Sequence, residues 1–142
     1  MNMNINKPNL PYIFELIEKG NEERPGKLIA INDNEINFPI KRIFYLYDFN
    51  EDKNLNKRGC HAHKTTSQIL IMGKGSVDIH TKNIYSNEEL SFTLIKPNQA
   101  LYLPPNNFIE LINFTQDAFM IVLCDETYDN DVYIKLEDLY KK

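Results

Sequence analysis

Arg58-Gly59-Cys60-His61-Ala62-His63-Lys64-Thr65-Thr66-Ser67-Gln68-Ile69-Leu70-Ile71-Met72-Gly73-Lys74-Gly75 holds two of the chain's three histidines, at the i, i+2 spacing. Alternate side chains of a strand share a face, so His61 and His63 point the same way. On the inside of a barrel, two imidazoles of ordinary pKa near 6.5 would project into one cavity, where neighbours can tune them for proton transfer. The apolar run Ile69 to Met72, followed by Gly73-Lys74-Gly75, reads as a second strand and its hairpin exit. Cys60 faces away from the pair and reads as packed rather than reactive.

Working outward, the segments Lys27 to Ile31, Ile40 to Phe49, Val77 to Thr81, Leu90 to Ile95, Leu101 to Leu103, Phe108 to Phe114 and Ala118 to Cys124 are short, β-rich and separated by Gly, Pro, Asn or Asp. Strands at such spacing with little helix indicate an all-β sandwich or barrel. Tyr12 to Ile17 is ambiguous between a helical turn and an edge strand. The tail breaks the rhythm: Val132, Leu136, Leu139 and Tyr140 repeat with helical period, and Asp129 or Asn130 can cap, which predicts a short C-terminal helix. Residues 1 to 11, rich in Asn with Pro8 and Pro11, read as a loose arm. His80 stands alone in its strand and reads as structural or exposed.

The chain's 142 residues amount to one domain. A net charge of -4 with scattered lysines gives no footprint for nucleic acid. There is no apolar run of about 18 residues and no leader pattern, so neither a membrane span nor a signal peptide is expected. Cys60 and Cys124 fit no metal-ligand spacing, and the expected location is the reducing cytoplasm. Strands 40 to 49 and 68 to 72 are apolar on both faces, more than one small barrel interior needs, and this predicts a homodimer.

Two motifs resemble those of the cupin jelly rolls. The first, H-x-H followed by Glu and then Gly, reads here His61, His63, Gln68, Gly75; the second reads Pro104, Asn106, Ile109, Asn113. Metal-binding cupins take as ligands the two histidines and the Glu of the first motif and a His of the second. Gln68 is a poor ligand and Ile109 has no donor atom, so no metal and no other cofactor is expected.

The likeness extends to one group of cupins. Lys41-Arg42 with Tyr45, the run Arg58 to Lys64, Gln68, Leu101-Tyr102-Leu103-Pro104-Pro105, Tyr128-Asp129 and Tyr133-Ile134 together resemble the dTDP-4-keto-6-deoxyglucose 3,4-ketoisomerases, over about residues 24 to 140. The chain departs from that family at Phe108-Ile109, where Trp-His is usual, and at Glu23-Arg24-Pro25-Gly26, where Asp-x-Arg-Gly is usual.

The resemblance implies an isomerase that moves a keto group from C4 to C3 of a dTDP-linked sugar without metal, on the way to 3-amino-3,6-dideoxy sugars of surface glycans. It implies His61 as the base that takes the C3 proton, His63 as relay between the two oxygens or as the group that orients its partner, and Tyr45 as donor to the developing oxyanion. Arg58 and Arg24 are then candidates for the diphosphate, Tyr102 for packing near the base or sugar, and Gln68 for a substrate contact. Lys41 and Arg42 lie on opposite faces of one strand, so at most one enters the cavity unless a bulge intervenes. Two other readings stand beside this one. A non-catalytic nucleotide-sugar-binding cupin would bind dTDP without turnover, and a 3,5-epimerase on the same substrate would exchange the C5 hydrogen as well.

Overall fold

The longest β-rich stretches pair into two five-stranded antiparallel sheets. The structure, a computed structural model, describes residues 9–21, 23–135 and 137–138. The first sheet has the order β1 (Tyr12–Glu15), β9 (Gln99–Leu103), β6 (Gln68–Lys74), β11 (Phe119–Cys124), β4 (Arg42–Leu46). The second has the order β12 (Tyr133–Lys135), β5 (Lys57–His63), β10 (Asn107–Ile112), β7 (Val77–Asn83), β8 (Glu89–Leu94). A small hairpin of β2 (Glu18–Asn21) and β3 (Arg24–Ile29) stands apart from both. This is an all-β, cupin-type jelly roll, as expected.

From β5 onward every connection except the β7–β8 hairpin crosses from one sheet to the other. Gly73-Lys74-Gly75 is therefore a crossover and not the hairpin exit expected of it. Gly75 has a φ of +76°, and a Cβ there would run into Thr115 and Ala118. Glycine meets both demands.

Between the sheets, Leu70, Met72, Leu101, Leu103, Met120 and Val122 pack against Val77, Ile79, Leu94, Ile109 and Leu111. The alternate residues Ile69 and Ile71, with Ala100, Tyr102 and Leu123, make a second apolar layer on the outer face of the first sheet, covered by Leu16, Ile29, Ile31, Ile36 and Phe38. Part of that face stays uncovered, because Ile43, Tyr45 and Tyr47 are exposed.

Two expectations about the ends change. Tyr12 to Glu15 form an edge strand against Gln99 to Tyr102. The last residues of the supposed loose arm are tied in: Leu10 is buried, and the Asn9 carbonyl accepts hydrogen bonds from the Asn83 and Asn107 amides at 3.2 and 2.9 Å. The C-terminal helix does not begin where periodicity placed it. Asp129 and Asn130 belong to a single 3-10 turn, and Tyr133–Lys135 pair with His63 to His61 as a strand. Residues 1–8, Leu136, Leu139 and Tyr140, on which the rest of those two expectations fell, lie outside the described residues. Among the described residues no helix is long and apolar enough to cross a membrane.

Candidate active site

A bulge in β5 decides which side chains face the interior. Along β10, Ile109 pairs with His61 and Glu110 with Gly59, so two residues of one strand oppose three of the other. The extra residue is Cys60, with φ +68°, beside Gly59 at +88°. A Cβ on Gly59 would lie 2.8 Å from the Ile109 carbonyl oxygen, so that position requires glycine. The bulge switches the parity of β5, and Arg58 thereby reaches the same cavity as His61 and His63.

That cavity, about 340 Å³, lies between the sheets. Arg42, Phe44 and Leu46 reach it from β4, Gln68 and Leu70 from β6, and Ile109 and Leu111 from β10, while Tyr128 and Tyr133 close its other side. The two imidazole rings have centroids 4.9 Å apart, and the Tyr133 ring lies 4.6 Å from that of His61 and 4.9 Å from that of His63. A groove of about 660 Å³ adjoins it, sharing Gly59, His61, Tyr128 and Tyr133 and adding Cys60, Lys135 and Glu137.

The histidines are anchored differently. His61 Nδ1 lies 3.1 Å from the Gly59 carbonyl oxygen. A carbonyl can only accept, so Nδ1 donates and Nε2 is the nitrogen left for other partners. His63 is only 4% exposed. Its Nδ1 lies 2.9 and 3.0 Å from the two carboxylate oxygens of Asp131, whose side chain is sealed from solvent. The same carboxylate accepts from Thr66 Oγ1 at 2.7 Å and from Arg42 Nη2 at 2.8 Å.

Burial pulls His63 below its ordinary pKa; the Asp131 carboxylate works in the opposite direction, and His61 and Arg42 add to the lowering. Burial would raise Asp131, but the hydrogen bonds from His63, Thr66 and Arg42 outweigh it and hold the group below the usual carboxylate range. A neutral imidazole therefore sits against an ionised carboxylate near neutral pH.

Arg42 Nη2 also reaches Cys124 Sγ at 3.4 Å, and Gln68 Nε2 reaches the same sulfur at 3.4 Å. Burial raises the Cys124 thiol against the pull of Arg42 and Gln68. Among the described residues, Arg42 Nε and Nη1 are buried with no hydrogen-bond partner. At about 1–3 kcal/mol for each buried donor left unmet, such an arrangement persists where the donors have another use.

Of the residues singled out in the sequence, His61, His63, Arg42, Arg58 and Gln68 come together here. Tyr45 does not. It is 57% exposed on the outer face of the first sheet, stacked on Phe119 at 5.2 Å. The reason is the strand period, since Arg42, Phe44 and Leu46 face inward and Ile43 and Tyr45 cannot. Lys41 is exposed and binds through its backbone N–H to the Cys124 carbonyl at 2.9 Å. Arg24 is exposed at the start of β3 and is not among the residues that line the cavity. Tyr102 is buried against Tyr12 at 5.2 Å in the outer layer, because its neighbours Leu101 and Leu103 take the inner face.

Asp131, Tyr133, Thr66 and Cys124 were missed as site residues. Asp131 lies 68 residues from His63 in the chain, and no local pattern announces that contact. His80 binds Ser91 Oγ at 2.7 Å in an exposed position, as a structural histidine would.

Two facing sheets with a histidine pair on one strand and an arginine on the opposite sheet, enclosing a mostly apolar cavity, define a cupin-type small-molecule site. In its place among such proteins, the chain belongs to the family described as "FdtA: WxcM-like, C-terminal", matched over residues 11–142. It is 36% identical over 118 residues to the TDP-4-oxo-6-deoxy-alpha-D-glucose-3,4-oxoisomerase of Aneurinibacillus thermoaerophilus, covering 82% of this chain and 81% of that protein.

Two solved structures are similar throughout. A 3,4-ketoisomerase from Helicobacter canadensis matches with a TM-score of 0.78 and 36% identity over 90% of this chain and 92% of its own. A histidine-to-asparagine mutant of the 3,4-ketoisomerase QdtA from Thermoanaerobacterium thermosaccharolyticum, in complex with TDP-4-keto-6-deoxyglucose, matches with a TM-score of 0.80 and 31% identity over 92% and 90%.

Proposed function

We propose that the protein is a TDP-sugar 3,4-ketoisomerase, which converts the 4-keto group of TDP-4-keto-6-deoxyglucose to a 3-keto group for the synthesis of 3-amino-3,6-dideoxy sugars. Relatives named for this reaction support it. The observation that carries the chemistry is the pair of imidazoles 4.9 Å apart in one apolar cavity, each with Nδ1 engaged.

The C3 hydrogen is acidic because it is α to the carbonyl, so a base near neutral pKa suffices. His61 takes that proton at Nε2 and leaves an enediolate with its charge on O4. His63 takes the O3 proton and passes it to O4. His61 then returns its proton at C4, and the product carries C3=O with a hydroxyl at C4. The donor to the developing oxyanion, expected of Tyr45, is better sought in the Arg42 guanidinium, which lines the cavity. Arg58, at the rim, takes the diphosphate. Tyr128 and Tyr133, along the adjoining groove, offer aromatic faces to the thymine.

The reaction as written needs no metal. Gln68, whose Nε2 donates to Cys124, offers only a neutral amide oxygen, a poor ligand, and Ile109 has no donor atom. Metal analysis of untagged protein is the check, and a stoichiometric metal required for turnover would end the metal-free scheme. The protein acts as a homodimer in the cytoplasm, supported by the uncovered apolar strip of Ile43, Tyr45 and Tyr47 and by two free thiols.

The deciding experiment incubates the protein with TDP-4-keto-6-deoxyglucose, a 3-aminotransferase and its amino donor in deuterated water. A 3-amino-3,6-dideoxy sugar is expected. Binding without product would leave a non-catalytic binding protein, and deuterium at C5 would make it an epimerase.

A further inference from the structure

Asp131 has no part in the proton path above, yet it is the most heavily engaged side chain of the site. Its two carboxylate oxygens accept from three side chains on three different segments: His63 at the end of β5, Thr66 in the following loop and Arg42 at the start of β4. We infer that Asp131 is a positioning residue that locks His63 in the tautomer required for the oxygen-to-oxygen relay. The assignment rests on the isomerase reading.

The argument is one of donors and acceptors. An ionised carboxylate only accepts, so the His63 nitrogen facing it must carry the proton. In the neutral ring that leaves Nε2 with its lone pair, ready to receive the O3 proton of the substrate. The opposite tautomer would present an N–H there and could not begin the relay. Once Nε2 is protonated, both ring nitrogens carry hydrogen, and the new positive charge lies against Asp131 until the proton passes to O4.

Thr66 and Arg42 are what fix the carboxylate. Arg42 is the more consequential, because it ties Asp131 to the opposite sheet and keeps its Nε and Nη1 unpartnered. Relay and oxyanion donor are thus set by one group.

The test is the variant Asp131→Asn. Arg42 Nη2 can only donate, so the amide oxygen must turn toward it and the NH2 toward Thr66 and His63. Nδ1, which lies within reach of both positions at 2.9 and 3.0 Å, then meets a donor as well as an acceptor, so its proton is no longer held, and the charge facing the protonated ring is gone. We expect kcat to fall at least about 10²-fold, the scale of losing acid–base catalysis, with KM and TDP affinity nearly unchanged. In nitrogen-15 histidine spectra at pH 8, wild-type His63 should show a pyrrole-like Nδ1 and a pyridine-like Nε2, and the variant should show shifts averaged over both tautomers.

A purely structural Asp131 would lower the melting temperature and leave the kcat of folded protein and the tautomer unmoved, which overturns the inference. The milder Thr66→Val keeps the carboxylate and Arg42 in place and should lower kcat roughly tenfold, the rate equivalent of one ordinary hydrogen bond. The wild-type spectrum decides even if neither variant folds, because a pyrrole-like Nε2 on His63 overturns the inference. Absence of turnover in the wild type sinks the isomerase reading itself, whereas turnover with the wrong tautomer sinks only the role of Asp131.

Discussion

His61 and His63 share a strand and a face but not an environment, one held by a backbone carbonyl and the other by a buried carboxylate. His61→Asn should keep the fold and TDP affinity and lower turnover by about 10²-fold or more, with loss of solvent deuterium at C3. His63→Asn should also impair turnover, and the double variant should be little worse than the poorer single one, because groups acting as a unit are not additive. Wild-type rates in both single variants would refute the scheme. Protonation of His63 also bears on stability. Its pKa is lowered in the folded state, so above about 6.5 neither state gains a proton there; below that the unfolded chain binds one that the folded chain resists. Stability should therefore fall from pH 7 to 5.5, by at most about 1.4 kcal/mol from this group. Urea midpoints at the two pH values should converge in His63→Gln. Asp131, lowered as well, contributes fully above about 3.9 and loses its contribution only in stronger acid. The histidine pair was legible because i, i+2 is a local signal. Its carboxylate was not, because Asp131 reaches the pair only through the pairing of β12 with β5, across half the chain.

At the level of the element, the bulge in β5 is the device that brings Arg58 round to the histidine face. Gly59→Val should cost about 1–3 kcal/mol through its φ of +88° alone, with the clash against Ile109 in addition. It should also weaken TDP binding by turning Arg58 away. Urea unfolding and calorimetry measure the two, and a variant with unchanged TDP affinity would take Arg58 out of the site. Alternation along β4 was readable and should have excluded Tyr45 as soon as Arg42 was admitted. The start of the C-terminal helix misled for the opposite reason. Val132, Leu136, Leu139 and Tyr140 satisfy a helical period, but Tyr133 finds an open edge on β5 beside His63, and pairing there overrides local propensity. The crossovers were illegible too, because Gly73-Lys74-Gly75 punctuates a hairpin and a change of sheet alike.

For the whole molecule, apolar residues on both faces of the first sheet were plain in the sequence, and the structure covers only part of the outer one. Replacing Ile43 and Tyr45 together by Glu should convert a sedimenting dimer to monomer at micromolar concentration while leaving the wild-type histidine spectrum in place. A wild-type protein that already sediments as a monomer would remove the dimer. The route of the chain has a further consequence, for synthesis on the ribosome. His63 and Asp131 are 68 residues apart, so at about 5–20 residues per second the histidine strand waits roughly 3 to 14 s for its carboxylate. For most of that interval β6 is without β11, its neighbour in the finished sheet, and offers a two-sided apolar strand to any other chain. Nascent copies on one messenger are close enough to find each other by that strand, so yield in a cell should depend on chaperone supply more steeply than the stability of the finished protein would suggest.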